Sequence, residues 1–169
     1  MTLSTTASPI SPCLWFDHEL EEAAAFYTAI FPSSSVGHMA RYPESRPGEP
    51  GKVMAGEFTL DGLTFRGING GPDHAGFTET ISFSITCADQ AEVDHYWTSL
   101  TADGGEESVC GWLKDRFGLS WQIVPKRLYE LMEDPDPVRA KAATEAMLRM
   151  RKIVVAELEA AADAATAQG

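Results

Sequence analysis

Polar and apolar residues alternate along the segment Thr80–Cys87, and this period of two is typical of a half-buried strand. The apolar set is Ile81, Phe83 and Ile85, and the hydroxyl-bearing set is Ser82, Ser84 and Thr86. Successive side chains of a strand point to opposite faces. We therefore expect the apolar set to pack on a helix and the hydroxyl set to face the other way, toward a cleft.

Similar runs, together with two runs at helical spacing, predict the secondary structure up to Pro125. The first elements are a strand at Ile10–Asp17, a helix at Glu19–Phe31, and strands at Ser35–Tyr42, Val53–Leu60 and Leu63–Asn69. The next are a strand at Thr80–Cys87, a helix at Gln90–Leu100, and strands at Glu107–Cys110, Trp112–Asp115 and Leu119–Val124. Each group forms a βαβββ module.

The two modules repeat one sequence pattern. Glu21–Ile30 (EEAAAFYTAI) aligns with Ala91–Leu100 (AEVDHYWTSL), and Gly62–Ile68 (GLTFRGI) aligns with Gly118–Val124 (GLSWQIV). Both matches occur in the same order and follow the same types of element. The duplication predicts an α+β fold, in which two βαβββ modules form a curved, mostly antiparallel sheet around a cleft, followed by a C-terminal helix.

The predicted organisation has a flexible N-terminus at residues 1–9, paired modules at 10–70 and 79–125, and a helical extension at 126–169. In the extension, a helix is predicted from Val138 to about Ala162. Its apolar stripe consists of Met147, Met150, Ile153, Val154 and Leu158. Such a stripe has to be buried against the sheet or against a second subunit, so we expect a homodimer.

The chain is acidic, and this narrows the range of partners. Thirteen basic and 25 acidic residues give a net charge of -12, which disfavours binding to nucleic acid or to anionic lipid. No apolar run approaches the roughly 18–20 residues that span a bilayer. Met1–Pro9 lacks the basic and apolar regions of a signal peptide, so a cytoplasmic location is expected.

The three cysteines indicate neither a disulfide framework nor a zinc site, because they are widely spaced and form no CxxC pair. Cys13, Cys87 and Cys110 each lie in an apolar, strand-like run. We interpret them as small buried residues. His18 and His95 lie at a helix start and on a helix, and we expect them to face solvent.

Arg66 and Gln122 occupy equivalent positions in the two aligned last strands. If both side chains project toward the cleft, an arginine and an amide would be available there for a ligand. Arg66 would offer a planar set of donors for an anionic group, and Gln122 would offer a donor and an acceptor. The alternative is that Arg66 is a solvated strand residue paired with a local carboxylate.

Several strings of the sequence resemble the vicinal oxygen chelate superfamily, which includes glyoxalase I, extradiol dioxygenases and bleomycin-resistance proteins. The most specific is CGWLKDRFGLSWQIVP at Cys110–Pro125; others are LWFD at Leu14–Asp17, EEAAAFYTAIFP at Glu21–Pro32, NGG at Asn69–Gly71 and EVDHYW at Glu92–Trp97. These strings are similar to the PhnB-like branch, which is often labelled 3-demethylubiquinone-9 3-methyltransferase-like. The resemblance implies the duplicated fold and modules that pair across a dimer.

The resemblance also implies positions for a divalent metal, on the first and last strands of each module. On the last strands this chain has Arg66 and Gln122, and on the first strands it has Pro12 and Ser82 or, two residues earlier, Ile10 and Thr80. Of these only Gln122 could act as a ligand, and a weak one. We therefore predict no metal and no cofactor. The glycine-rich turn of the usual S-adenosylmethionine fold is also missing from the sequence.

The preferred hypothesis is a small-molecule-binding protein of the bleomycin-resistance type, without metal chemistry. Its cleft is predicted to be lined by Leu14, Phe16, Glu57, Arg66, Ser82, Ser84 and Gln122. One alternative is a metal-dependent lyase, isomerase or dioxygenase of the same superfamily. Another is a non-catalytic interaction protein. No catalytic residue is assigned, and the ligand is not identified.

Overall fold

The computed structural model describes residues 9–44, 50–73 and 76–167. The chain divides into two compact units, Met1–Gly76 and Phe77–Gly169. No helix in the described part of the chain is long and apolar enough to cross a membrane.

Unit 1 is one βαβββ module. Its elements are β1 (Cys13–Phe16), α1 (Leu20–Ile30), β2 (Ser35–Arg41), β3 (Val53–Leu60) and β4 (Leu63–Asn69). The sheet has the order β1-β4-β3-β2, with β1 parallel to β4 and the other pairs antiparallel. This is the order of elements that the sequence predicts.

Unit 2 repeats that topology and adds three helices. Its elements are β5 (Phe83–Cys87), α2 (Gln90–Thr101), a short 3-10 turn (Ala102–Gly104), β6 (Glu106–Glu107), β7 (Trp112–Lys114), β8 (Ser120–Pro125), α3 (Lys126–Met132), α4 (Pro137–Met147) and α5 (Val155–Thr166). The sheet order is β5-β8-β7-β6, again with one parallel pair. The predicted α+β class and the duplicated βαβββ modules are confirmed.

The predicted boundaries differ most at the edges of the sheets. The strand expected at Glu107–Cys110 is only two residues long, Glu106–Glu107. Cys110 and Gly111 both have positive φ, at 57° and 81°, and this left-handed backbone turns the chain before β7 begins. The strands predicted from Ile10 and Thr80 begin three residues later than expected, at Cys13 and Phe83.

In unit 1, aromatic side chains fill the space between α1 and the sheet. Tyr27 of α1 is fully buried and stacks on Phe58 of β3 at 5.9 Å between ring centroids. Phe58 in turn stacks on Phe65 of β4 at 5.2 Å. Burial of three such rings is a large part of the hydrophobic stabilisation of so small a unit.

The NGG turn after β4 closes unit 1 over the start of α1. The Asn69 side chain accepts a hydrogen bond from the backbone N–H of Leu20 at 3.0 Å and donates one to the carbonyl of Val53 at 3.1 Å. Glu19, the residue at the N-cap position of α1, makes no side-chain hydrogen bond to the helix. Asn69 therefore takes the place of an N-cap side chain, although it is distant in sequence. At Gly70 a Cβ would lie 1.9 Å from the indole of Trp15, so this position requires glycine.

In unit 2, α2 packs on the sheet through Val93, Trp97 and Leu100. Asp115 organises the turn between β7 and β8. Its carboxylate accepts hydrogen bonds from the backbone N–H groups of Phe117 and Leu119, and from the indole of Trp121 at 2.8 Å.

The single long helix predicted from Val138 to Ala162 is wrong, because the chain breaks between α4 and α5. The carbonyls of Met150 and Arg151 accept hydrogen bonds from the N–H groups of Cys110 and Gly111, both at 2.8 Å. Those contacts draw the segment out of helical geometry and tie it to the start of β7. The helical spacing of the stripe alone did not reveal this tertiary pairing.

The apolar stripe is buried inside unit 2. Met150, Ile153 and Leu158 belong to one core cluster with Val124 of β8 and Leu131 of α3. These three stripe residues are therefore used in the core of unit 2, while Met147 and Val154 are half-buried, so the stripe by itself no longer supports a homodimer. The homodimer itself remains a prediction.

Candidate functional site

Arg66 and Glu57 face each other on the side of the unit 1 sheet that is opposite α1. The two residues are paired in the register of β3 and β4, and Arg66 Nε lies 3.3 Å from Glu57 Oε1. The Arg66 side chain is 64% exposed. Arg66 is thus exposed on the face opposite α1 and has the local carboxylate partner of the second alternative, while its role in binding a ligand remains a prediction.

The open face of unit 1, as we call this side, holds a cavity of about 570 Å³. Its side chains include Cys13, His38, Ala55, Glu57, Arg66 and Ile68. Apolar groups thus surround an ion pair, which is the usual composition of a small-molecule site. His38, which was not predicted as a site residue, reaches this face because of an irregularity in the pairing of β2 with β3.

Leu14 and Phe16 were predicted to line the cleft, but they lie on the other face of the sheet. Cys13 is paired with Arg66 in the register, so Leu14 and Phe16 do not share that face. Leu14 is 5% exposed and Phe16 is 3% exposed. Leu14 is paired with Gly67, whose Cβ would meet Leu20 of α1. Both residues are part of the core against α1, and their prediction as cleft residues is corrected.

The open face of unit 2, on the side opposite α2, carries the predicted polar residues. Gln122 Nε2 donates a hydrogen bond to Ser82 Oγ at 2.8 Å. Ser84 and Trp112 are the register partners of Gln122 on the two neighbouring strands, so they project from the same face. The alternation argument is correct for Ser82, Ser84 and Gln122.

The apolar set of the same strand follows the prediction in part. Phe83 and Ile85 are half-buried and pair with Trp121 and Ile123 on the helix side. Ile81 is exposed, contrary to the prediction, because it precedes the first residue of β5.

A second row of side chains crosses the open face of unit 2. Glu106, Lys114 and Ser120 are successive register partners on β6, β7 and β8. They line a cavity of about 470 Å³, together with Val109 and Trp112. Sequence reasoning missed this row. Ser120 lies two residues before Gln122 on one strand, so strand alternation places both side chains on the same face. The strand prediction began at Glu107 and so left out Glu106, the first residue of β6.

The charges in this cavity are partly paired. Lys114 Nζ forms an ion pair with Glu79 Oε1. This hydrogen bond lowers the pKa of the Glu79 carboxyl and raises the pKa of the Lys114 ammonium group, so both are ionised at neutral pH. Glu107 accepts a hydrogen bond from the Trp97 indole at 2.8 Å.

The donor groups on these faces do not fit the metal site that the resemblance implies. Among the described residues, no three His, Cys, Asp or Glu side chains are grouped so that they could hold a metal ion. Gln122 already donates to Ser82, and Arg66 is cationic. His18 and His95 are exposed, as predicted, and His74 lies outside the described residues.

The three cysteines differ in burial, which corrects the prediction that all are buried. Cys87 is fully buried, Cys110 is half-buried and Cys13 is exposed on the open face of unit 1. Burial, with smaller contributions from Glu92 and Asp89, raises the pKa of the Cys87 thiol to about 12.

Comparison with known structures supports the same fold. The putative 3-demethylubiquinone-9 3-methyltransferase PhnB protein from Bacillus cereus is 33% identical, with a TM-score of 0.64 over 70% of this chain and 99% of that chain. Protein PA1353 from Pseudomonas aeruginosa is 20% identical, with a TM-score of 0.59 over 70% and 98%. The fosfomycin resistance protein FosX from Listeria monocytogenes is 18% identical, with a TM-score of 0.50 over 70% and 92%.

No curated protein matches this chain. A family model described as 3-demethylubiquinone-9 3-methyltransferase matches residues 8–124, which is more than half of the chain and includes both modules up to Val124 in β8. The chain therefore belongs to this family of PhnB-like proteins, within the vicinal oxygen chelate superfamily.

Proposed function

We propose that this protein binds a small organic molecule on the open faces of its sheets, without metal chemistry. The observation that carries the proposal is the open face of unit 1, where an exposed guanidinium lies in a mainly apolar cavity of about 570 Å³. A cavity of that size accommodates a metabolite or a drug-sized compound. Each sheet packs only one face on its helix, so the other face is available for a ligand.

Arg66 is the residue that we assign to recognition of an anionic group. Its planar set of donors can bind a carboxylate or phosphonate through two parallel hydrogen bonds. A mutant form of FosX, a protein that shares only the fold, is complexed with Mn(II) and 1S,2S-dihydroxypropylphosphonic acid. A phosphonic acid is an oxyacid of the kind that a guanidinium recognises, and this supports an oxyacid as the first ligand class to test.

Gln122 and Ser82 form the polar pair that we assign to ligand orientation in unit 2. Their 2.8 Å hydrogen bond leaves the Gln122 carbonyl oxygen and one amide hydrogen for further partners. An amide can fix the orientation of a ligand by donating and accepting without chelating a metal. Ser84, the register partner of Gln122, supplies a hydroxyl beside it.

A thermal-shift screen of carboxylates, phosphonates and phosphate esters tests the proposal, because a ligand raises the unfolding temperature of the state that it binds. Each hit would be titrated into the wild type and into Arg66→Ala, Arg66→Lys and Gln122→Ala. We expect Arg66→Ala to weaken binding by about tenfold, the effect of one charged hydrogen bond of about 1.4 kcal/mol. Arg66→Lys should recover part of the loss.

Lys126→Ala is the matched control, since Lys126 is an exposed cation whose removal changes the net charge equally. Unchanged affinity in both Arg66→Ala and Gln122→Ala would overturn the assignment of these faces. A loss of the same size in Lys126→Ala would show that the effect is one of net charge only.

A further inference from the structure

Ser120 lines the unit 2 cavity, and its hydroxyl is buried without a hydrogen-bond partner among the described residues. The residue is 1% exposed. A buried polar group without a hydrogen-bond partner destabilises the folded state. Such a group in a cavity wall marks a place where a ligand atom can complete the hydrogen bonding.

The walls of this cavity are mainly apolar. Val109, Cys110, Trp112 and Leu113 line it beside Ser120. The Trp112 indole projects from the open face, as its pairing with Gln122 requires. An aromatic wall of this kind favours a flat apolar ligand, and its π face also attracts a cation.

The charge at the rim decides which polar group the ligand carries. Glu79 forms a salt bridge with Lys114. Glu107 Oε2 lies 3.8 Å from a guanidinium nitrogen of Arg151, and Glu107 Oε1 accepts a hydrogen bond from the Trp97 indole N–H. Glu106 is the register partner of Lys114 and interacts electrostatically with its ammonium group, but Lys114 forms its salt bridge with Glu79. Three carboxylates, those of Glu79, Glu106 and Glu107, thus share two cations at the rim, and the excess negative charge disfavours anions.

From these features we infer that the unit 2 cavity binds a flat apolar molecule that carries a protonated amine. The ring lies against Trp112, the amine pairs with Glu106, and a hydrogen-bonding atom of the ligand reaches Ser120. The inference rests on the proposed function in placing a ligand on the open face of unit 2. It goes further in assigning a cationic ligand class and two residues, Glu106 and Ser120, to the site.

Three probes of the same shape and different charge test the inference. They are tyramine, 4-(2-hydroxyethyl)phenol and 3-(4-hydroxyphenyl)propionate, whose phenol hydroxyl is the atom expected at Ser120, titrated into the full-length protein at neutral pH by calorimetry. We expect the amine to bind saturably and more tightly than the alcohol, and the carboxylate not to bind in this cavity. Equal affinity for the amine and the alcohol would overturn the cationic assignment.

Glu106→Gln should weaken the amine by about threefold, since exposed ion pairs are worth less than 1 kcal/mol, and should leave the alcohol unchanged. Glu145→Gln on α4 is the control, because it removes an equal charge from an exposed helix position. An equal loss in the control variant would overturn the role of Glu106.

Ser120→Ala is expected to change ligand affinity without lowering the melting temperature, which distinguishes a ligand-binding hydroxyl from one that stabilises the fold. We expect it to weaken the amine by about fivefold while the melting temperature is unchanged or raised, because an unsatisfied buried group is removed. A lower melting temperature would show that Oγ has a structural partner, and would overturn the inference. Arg66→Ala separates the two proposals, since it should affect anionic ligands and leave the amine unaffected.

Discussion

Arg66 and Glu57 are 3.3 Å apart across neighbouring strands of unit 1, and this ion pair limits how strongly Arg66 can attract an anion. A ligand carboxylate has to compete with Glu57 for the same guanidinium. Both side chains are at least half exposed, so the pair itself contributes little to stability, at most about 1 kcal/mol.

Glu57→Gln is therefore expected to strengthen the binding of an anionic ligand, by about two- to fivefold, because it removes the competing charge. The sign is opposite to that of Arg66→Ala. Affinity measured by calorimetry, at low and at high salt, would check this, and the gain should shrink as salt screens the charges. Weaker binding would mean that Glu57 itself holds the ligand.

Gly70→Ala is expected to destabilise unit 1 by about 1–3 kcal/mol, since the new Cβ would lie 1.9 Å from the Trp15 indole. The indole would have to move, and its 3.0 Å hydrogen bond to the Gly71 carbonyl would be lost. Denaturant unfolding measures the change. A double-mutant cycle with Trp15→Ala is the control, because the cost of Gly70→Ala should largely disappear once the ring is absent.

The predictions from the sequence succeeded where period and repeat were unambiguous. Ser82, Ser84 and Gln122 were placed on the correct face because polar and apolar residues alternate cleanly there. Leu14 and Phe16 were misplaced because β1 is apolar on both faces, which leaves no alternation to decide the direction of a side chain.

The remaining errors have tertiary causes. The break between α4 and α5 depends on hydrogen bonds from Cys110 and Gly111, about 40 residues earlier in the chain. The lack of a hydrogen-bond partner for the buried Ser120 hydroxyl also depends on tertiary packing, because the sequence does not show which groups will lie next to a serine on a strand. Neither local propensity nor periodicity contains that information.

Thiol labelling at pH 8 is expected to distinguish the three cysteines. A thiolate is the reactive species, so the exposed Cys13 should react fastest and Cys87, with its pKa raised to about 12, should not react until the protein unfolds. Kinetics with a chromogenic disulfide reagent, in native buffer and in denaturant, measure this. Cys13→Ser should remove the fast phase, and a fast phase that survives this substitution would contradict the assignment.

The raised pKa of the Cys87 thiol also predicts that the free energy of unfolding depends on pH. The folded state keeps Cys87 protonated up to about pH 12, whereas the ordinary value for the unfolded chain is 9.0. The unfolded state therefore binds fewer protons between these values, and the contribution to stability falls as pH rises from about 9 to 12. Free energies of unfolding of the wild type and Cys87→Ala should converge over this range. A constant difference would show that the thiol does not titrate on unfolding.

Gln90 joins α2 to the C-terminal extension, which lies outside the family match. Its amide donates to the Ile153 carbonyl at 3.2 Å and accepts from the Val155 N–H at 2.8 Å. Gln90→Met keeps the volume but leaves both backbone groups without this partner, and we expect a loss of about 1–3 kcal/mol. Denaturant unfolding would measure the loss.

Lys152→Met is the comparison for Gln90→Met, because Lys152 joins the same two segments through an ion pair with Asp94 that is partly exposed. It should cost less than 1 kcal/mol, since exposed ion pairs contribute little. Hydrogen exchange provides the second measurement. If Gln90 ties the extension to α2, Gln90→Met should speed exchange at Val155 and along α5 while leaving unit 1 unchanged. Equal small losses in both variants, with no faster exchange in α5, would show that the buried stripe alone holds the extension in place.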